Sequence, residues 1–421
     1  MRWRYIDNQS ETELLYRRRV LDQIEIWWQL FSKRSKEFES HIKGRRPLPI
    51  EELARWVDDG LTKINENLLW ELWPGENDVC LFIITPELDH FKRPLVKTII
   101  EMAPELDGWS FLPVRPALSV DVLESIFESR TGLSIPETKV SCQRSNRNVV
   151  DVTFFSDSFS GANDRDDIET AYCLCEYLLG EDTLNKWIGN ISTEVINTSA
   201  SRIVNLFGRD KQLDISHTKS LSEFAQAVDK VVLEIKVQID DEPLRLQNLV
   251  TPALVSFKDE ELQPLRRSFV SAKRNIIESI VLNGIFYSER FTKHGEKFCY
   301  LKIAETDQIK SFEEFAALRQ KIDDSLRAEE CGCVFGWGTS PKFDGRSPAL
   351  SPSASERESG ISKPEASYLF VDLALEKIDE SIAVLRKVAQ GEKLSENSWL
   401  LFFDTELEHE WVGLFPETGA P

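Results

Sequence analysis

Residues 79–85 read Val-Cys-Leu-Phe-Ile-Ile-Thr, an apolar run with no alternation. A run of that length and uniformity is the mark of a strand covered on both faces, which commits the chain to a layered fold. The sequence around it fills in the layers. Phe91, Leu95, Ile99 and Met102 recur at helical spacing, and Trp109 to Val114 reads as a second strand. Ser119 suits the N-cap of a helix reaching Arg130, with Gly132 to close it. Thr138–Gln143 and Val149–Phe155 predict a hairpin about Arg144–Asn148, and Asp166 to Leu179 predicts a helix, followed by Gly180-Glu181-Asp182 and a short segment at Leu184–Ile188. The mixed order of strands and helices is that of an α+β protein with helices on one face of a sheet.

This block is flanked on both sides. Leu14, Leu21, Ile24, Trp28 and Phe31, widened by Val20 and Trp27, predict one long amphipathic helix over 11–40; a second is expected from Ile50 to Trp70. Together they predict an N-terminal helical hairpin over residues 1–76. An α+β domain at 77–215 follows it, and a second at 216–421 lies beyond a polar stretch at 197–219. Ser220-Leu221-Ser222-Glu223 has the form of a capping box opening a helix to about Ile239. Pro264 to Leu282 predicts another helix. Gly284–Phe291 and Phe298–Ile303 predict a hairpin, with Cys299, Leu301 and Ile303 facing opposite to Phe298, Tyr300 and Lys302. A helix over 311–326, strands at 331–337 and 368–373, a helix over 375–390 and two closing strands complete the chain. The Ser/Pro/Gly-rich residues 338–366 predict a disordered loop inserted in a hairpin. A strand–helix–strand echo, Leu81-Phe82 to Trp109 and Leu369-Phe370 to Trp399, admits an internal duplication.

The 421 residues carry a formal charge of −20, which disfavours nucleic-acid phosphates and anionic membranes and favours a basic protein surface as partner. The charge is uneven: residues 1–48 hold eleven Lys/Arg against seven Asp/Glu, including Arg17-Arg18-Arg19, which reads as a solvated helical face, with nucleic-acid contact as the alternative. No apolar stretch suits a signal peptide or a membrane span, and seven Cys without framework spacing fit reduced thiols, so a cytoplasmic location is expected.

Catalytic and metal-binding patterns are scarce. The pairs Cys173/Cys175 and Cys331/Cys333 lack zinc-knuckle spacing; the first pair diverges on a helix, while the second shares one side of a strand and is expected to be buried thiol. Asp404 to Glu410 is the densest carboxylate cluster and reads as a solvated hairpin connection, without the ladder of a calcium loop. There is no Gly-x-Ser-x-Gly elbow or phosphate loop, and no cofactor is expected. The polar residues singled out are Arg290, His294 and Glu296 about one turn, and the aromatic anchors are Trp27, Trp28 and Trp56.

Leu178-Leu179-Gly180-Glu181-Asp182 with Trp187-Ile188-Gly189, and Phe286-Tyr287-Ser288-Glu289-Arg290-Phe291 with His294-Gly295-Glu296 and Tyr300-Leu301-Lys302-Ile303, resemble segments of uncharacterised bacterial cytoplasmic α+β proteins. Ala103-Pro104-Glu105-Leu106 before Trp109 is of the same kind. Some of those proteins are similar to the ribonuclease E inhibitor type of domain. That resemblance implies a ferredoxin-like sheet of acidic character and transfers no catalytic residue. The expectation is two antiparallel or mixed sheets built of ferredoxin-like βαβ units, in an acidic, cytoplasmic protein-binding or regulatory module. Two alternatives stand beside it: a toxin-neutralising immunity protein, and a hydrolase whose site is assembled from distant carboxylates and His294.

Overall fold

A computed structural model describes residues 2–5, 10–44, 50–87, 89–123, 135, 137–160, 164–196, 218–249, 253–255, 269–282, 284–304, 309, 311–340 and 368–421. They form an α+β protein with three sheets, where the sequence led to the expectation of two. The chain falls into two compact units, Leu14–Val237 and Met1–Glu13 with Gln238–Pro421.

In the first unit, helix α1 (Glu11–Ile42, its residues from Leu14 onward) and helix α2 (Ile50–Ile64) precede a three-stranded sheet of β1 (Leu69–Pro74), β2 (Cys80–Thr85) and β3 (Trp109–Leu112). The second predicted helix therefore ends six residues early. Leu69–Pro74, expected partly in that helix, pairs antiparallel with β2 in full register. Helix α3 (Arg93–Glu101) makes the crossover from β2 to β3, which run parallel. The apolar run is covered on both faces as expected: Phe82 packs among Trp27, Trp28, Phe31 and Phe111, while Ile83 joins the core on the other side. Trp27 also meets Trp56 at 5.0 Å, and a side chain at Gly60 would collide with the Trp27 ring, so α1 and α2 touch where α2 has no Cβ.

A four-stranded sheet follows, of β4 (Lys139–Arg144), β5 (Val150–Ser156), β6 (Ile188–Val195) and the short β7 (Lys219–Ser220), in the order β6-β5-β4-β7. The hairpin about Arg144–Asn148 is present, closed by Ser145 N–H to Val149 O at 2.8 Å and by Asn148 at a positive φ of 55°. Helices α4 (Arg165–Leu179), α5 (Glu181–Trp187) and α6 (Leu221–Val237) complete the unit. Phe224, Val228 and Ile235 of α6 are buried in one core with Val140, Phe154 and Leu174. That packing moves the unit boundary past the polar stretch chosen from sequence, to 237. Of the capping box at Ser220, only the return half forms, from Ser220 N–H to Glu223 Oε2 at 3.1 Å. The full box lies at Ser311 and Glu314. The helix expected after Ser119 falls mostly outside the described residues, as does the loop at 341–367; Gly338 and Thr339 belong to a strand.

In the second unit a seven-stranded sheet has the order β14-β13-β10-β12-β11-β9-β8. Its strands are β8 (Ala253–Val255), β9 (Phe269–Ser271), β10 (Lys297–Ala304), β11 (Gly332–Thr339), β12 (Tyr368–Leu375), β13 (Ser398–Phe402) and β14 (Trp411–Gly413). Helix α7 (Arg274–Leu282) starts after β9, so Phe269 is a strand residue, where a helix over 264–282 was expected. Helix α8 (Phe312–Ala328) joins β10 to β11, and α9 (Ile378–Gly391) joins β12 to β13. The order β13-β10-β12-β11, antiparallel throughout, threads two strand–helix–strand crossovers into one sheet. The hairpin expected from 284–291 and 298–303 does not form. Residues 288–290 are one helical turn, and β10 pairs with β12 and β13. The insertion at 341–367 does lie between two antiparallel partners, β11 and β12. The two echoing segments differ in kind: β2 and β3 are parallel neighbours, whereas β10 separates β12 from β13.

The alternation read along β10 holds. Cys299, Leu301 and Ile303 pack with Phe315, Ile322 and Leu385 of α8 and α9. Phe298 lies on the opposite face with Ile276, Ile277 and Phe335. Helices α8 and α9 thus pack on one face and α7 on the other. Cys331 and Cys333 do not share a side: Cys331, in the turn before β11 and bonded from its N–H to Leu326 O, enters the first of these cores and Cys333 the second.

Candidate functional site

Most of the polar residues that attract attention in the sequence are consumed by the fold. Arg290 is 1 % exposed, and its Nη1 donates to Ile285 O at 3.0 Å. Glu296, 2 % exposed, accepts from Leu244 N–H at 2.6 Å and from the Thr292 hydroxyl. His294 is exposed, its Nε2 3.1 Å from Asp241 O. The turn is a staple for residues 241–244. Trp27 and Trp28 are buried, with Trp28 Nε1 donating to Ile99 O at 2.8 Å, so neither is a surface anchor. Trp56 is half-buried beside them.

The 404–410 run does connect two antiparallel strands, β13 and β14, but of its four carboxylates only Glu408 is exposed. Asp404, Glu406 and Glu410 are buried. Asp404 accepts from Ser288 N–H at 2.9 Å, from the Ser288 hydroxyl and from Lys297 Nζ at 3.3 Å; burial raises its pKa, and Lys297 and Ser288 oppose the rise. Glu410 accepts the N–H groups of Trp3, Arg4 and Tyr5 at 2.7, 2.9 and 2.8 Å. Glu296, Asp404 and Glu410 thus each accept at least one backbone N–H within the fold. Among the described residues no group of three or more His, Cys, Asp or Glu is placed to hold a metal ion.

The Leu-Leu-Gly-Glu-Asp segment has a similar structural use. Gly180 separates α4 from α5 at a φ of 76°, and a Cβ there would meet Ala117 N at 2.8 Å. The turn delivers Glu181 into a buried site, where it accepts from Thr85 Oγ1 at 2.7 Å, Arg93 Nη2 at 3.3 Å and Arg115 N–H at 3.2 Å. Gly180→Ala should cost about 2 kcal/mol through the left-handed backbone and the clash. A urea midpoint equal to wild type would refute that reading.

What the fold leaves unused is a cleft of about 460 Å³ on the open end of the second unit's sheet. Its floor is the face away from α8 and α9. Register sets Lys302 between Phe370 of β12 and Trp399 of β13, and sets Tyr300 beside Leu401. Phe403 lies 4.8 Å from the Tyr300 ring, and Ile280, Val281 and Phe286 make the opposing wall. Lys302 Nζ sits over the rings of Tyr368 at 4.5 Å and Trp399 at 5.1 Å. Among the described residues it has no carboxylate within ion-pair distance. Burial lowers its pKa from the usual lysine value. The sequence signalled the face through the alternation Phe298, Tyr300, Lys302, but not its partners on β12, β13 and α7, which lie far away along the chain.

No disulfide joins any of the seven cysteines. Burial pushes Cys142 and Cys333 up to about 12, and Cys175 and Cys299 well above the ordinary value, so these four are inert packing groups at neutral pH. No helix among the described residues is long and apolar enough to cross a membrane. No protein-family model, curated protein or solved structure matches this chain.

Proposed function

We propose that this protein is a binding module with a regulatory output, and that the cleft over β10 and β12 is where it recognises a planar, anionic small molecule. The observation that carries the reading is Lys302, a half-buried ammonium held over two aromatic rings on the floor of a ligand-sized cleft, with no carboxylate within ion-pair distance among the described residues, although Glu408 lines the same cleft. Desolvated cations attract anions strongly, and flat rings such as Tyr300 and Phe403 offer faces on which another ring stacks. The chain's charge of −20 argues against a polyphosphate strand in that cleft and for an anion of one or two charges.

The ferredoxin-like reading of the second unit is supported by its βαββαβ order β13-β10-β12-β11, and with it the likeness to the ribonuclease E inhibitor type of domain. A basic protein as the regulated partner is supported by the overall charge and by the exposed Glu51, Glu52, Asp58 and Asp59 of α2. Seven cysteines without a disulfide support a cytoplasmic location.

Calorimetric titration with two charged and neutral pairs tests the cleft: adenosine monophosphate against adenosine, and indole-3-acetate against indole. Each anion should bind about tenfold more tightly than its neutral partner, and Lys302→Met should erase that difference without abolishing binding of the neutral ring. The preference should also fade as pH rises through the lowered lysine pKa, because only the protonated ammonium attracts the anion. Equal affinities for anion and neutral ring, or no binding by the wild type, would overturn the reading.

A further inference from the structure

A second hollow, of about 590 Å³, lies between α8, β11 and residues 247–249, and none of its lining residues belongs to the first cleft. Its central group is Arg319. The guanidinium lies 4.5 Å from the Trp337 ring and 4.9 Å from the Phe315 ring. The natural partner for it on the same helix is Asp323, one turn on. The fold diverts that carboxylate: Oδ1 accepts from Val334 N–H at 2.7 Å, and Oδ2 accepts from Arg327 Nε at 2.7 Å. Asp324 is occupied by Gln320 Nε2 at 2.8 Å. Arg319 keeps one long bond, Nε to Phe315 O at 3.4 Å, and no carboxylate within ion-pair distance among the described residues. Its two terminal nitrogens, the prongs that grip an oxyanion, have no hydrogen-bond partner among the described residues. Burial pulls its pKa down to about 10, the direction expected of a cation partly removed from water without a counterion.

The surroundings narrow the anion. Asp323, paired with Arg327, and Asp324 line the same hollow, so one unbalanced negative charge stands beside Arg319: a monoanion is favoured over a dianionic phosphate, and a neighbouring donor on the ligand is welcome. Leu249, Ala272, Ala316 and Trp337 add apolar wall for a short side chain. We propose that this hollow is a binding site for a small carboxylate bearing its own ammonium or hydroxyl group, with the carboxylate gripped by Arg319 against Trp337 and the donor facing Asp324.

The test is a calorimetric titration of the full chain with four probes: L-leucine, its hydroxy analogue leucic acid, isocaproate, which has the same skeleton without the donor, and inorganic phosphate. Leucine or leucic acid should bind, isocaproate should bind about tenfold more weakly, and phosphate more weakly still. Arg319→Lys keeps the charge and loses the fork, and should weaken binding at least about tenfold with an unchanged urea midpoint. Arg319→Met serves if the lysine variant is unstable. Lys302→Met should leave these titrations unchanged, which separates this site from the first cleft. The proposal is overturned if none of the probes binds, if phosphate binds most tightly, if Arg319→Lys matches wild type, or if Lys302→Met abolishes the signal.

Discussion

Arg115→Met should destabilise the first unit by about 4 kcal/mol at neutral pH, the largest single-residue effect expected in this molecule. The guanidinium is 3 % exposed and bonded to three carboxylates from separate elements: Glu71 of β1 at 2.7 Å, Glu87 at 2.7 Å and Glu176 of α4 at 2.6 Å. Burial alone would lower its pKa, but the three carboxylates outweigh that and hold it firmly protonated. Methionine fills much of the volume and supplies no charge, so the carboxylates would repel one another in a site that water reaches poorly. Burial already raises the pKa of Glu176 against the opposing pull of Arg115, and removing the arginine raises it further. A carboxyl with a raised folded pKa costs stability above that pKa, and the cost disappears as pH falls below the unfolded value. The deficit of the variant should therefore shrink between neutral and mildly acidic pH, read as urea midpoints at both. Adding Glu71→Gln and Glu176→Gln should recover part of it. A deficit independent of pH would mean that lost packing, not charge, is responsible.

Glu410→Ala should release residues 3–5 and cost about 3 kcal/mol in the second unit. One carboxylate there satisfies three consecutive N–H groups, two on Oε1 and one on Oε2, a nest for an anion made by the protein's own backbone. The segment has other ties, since Arg2 lies 3.5 Å from the Trp411 ring and Tyr5 stacks on Phe402 at 4.8 Å. Those contacts remain in the variant. Amide exchange at Trp3, Arg4 and Tyr5 should accelerate about a hundredfold, and more than elsewhere in the unit. Glu410→Gln, which keeps one acceptor oxygen, should lie between. Unchanged exchange at these three amides would show that the ring contacts and the bonds of Arg2 to Trp411 O and Glu13 hold the segment without Glu410.

The elements legible in the sequence were those whose signal is local. The 79–85 run was bound to be covered on both faces, because a strand whose one polar side chain, Thr85, stands at its end has no face to give to water. The turn at Arg144–Asn148 and the periodicity of the last helix were likewise readable, since a hairpin and an amphipathic stripe are short-range features. The same reasoning failed where pairing was long-range. Leu69–Pro74 reads as helix continuation until β2 supplies its hydrogen bonds, and residues 284–291 lose their strand because β12 and β13 claim both edges of β10.

Charge was the feature least decided by the sequence. A carboxylate is written the same way whether it faces water or three backbone amides, and only packing tells Glu410 from Glu408, which is exposed. The sequence by itself determined the α+β class, the acidic surface and the alternation that puts Tyr300 and Lys302 on one face. The tertiary structure decided which charges are spent. It committed Glu181, Glu296, Asp404 and Glu410 to internal bonds and left Lys302 and Arg319 over aromatic rings. Burial, which sets the strength of a charge, is a property of neighbours distant along the chain.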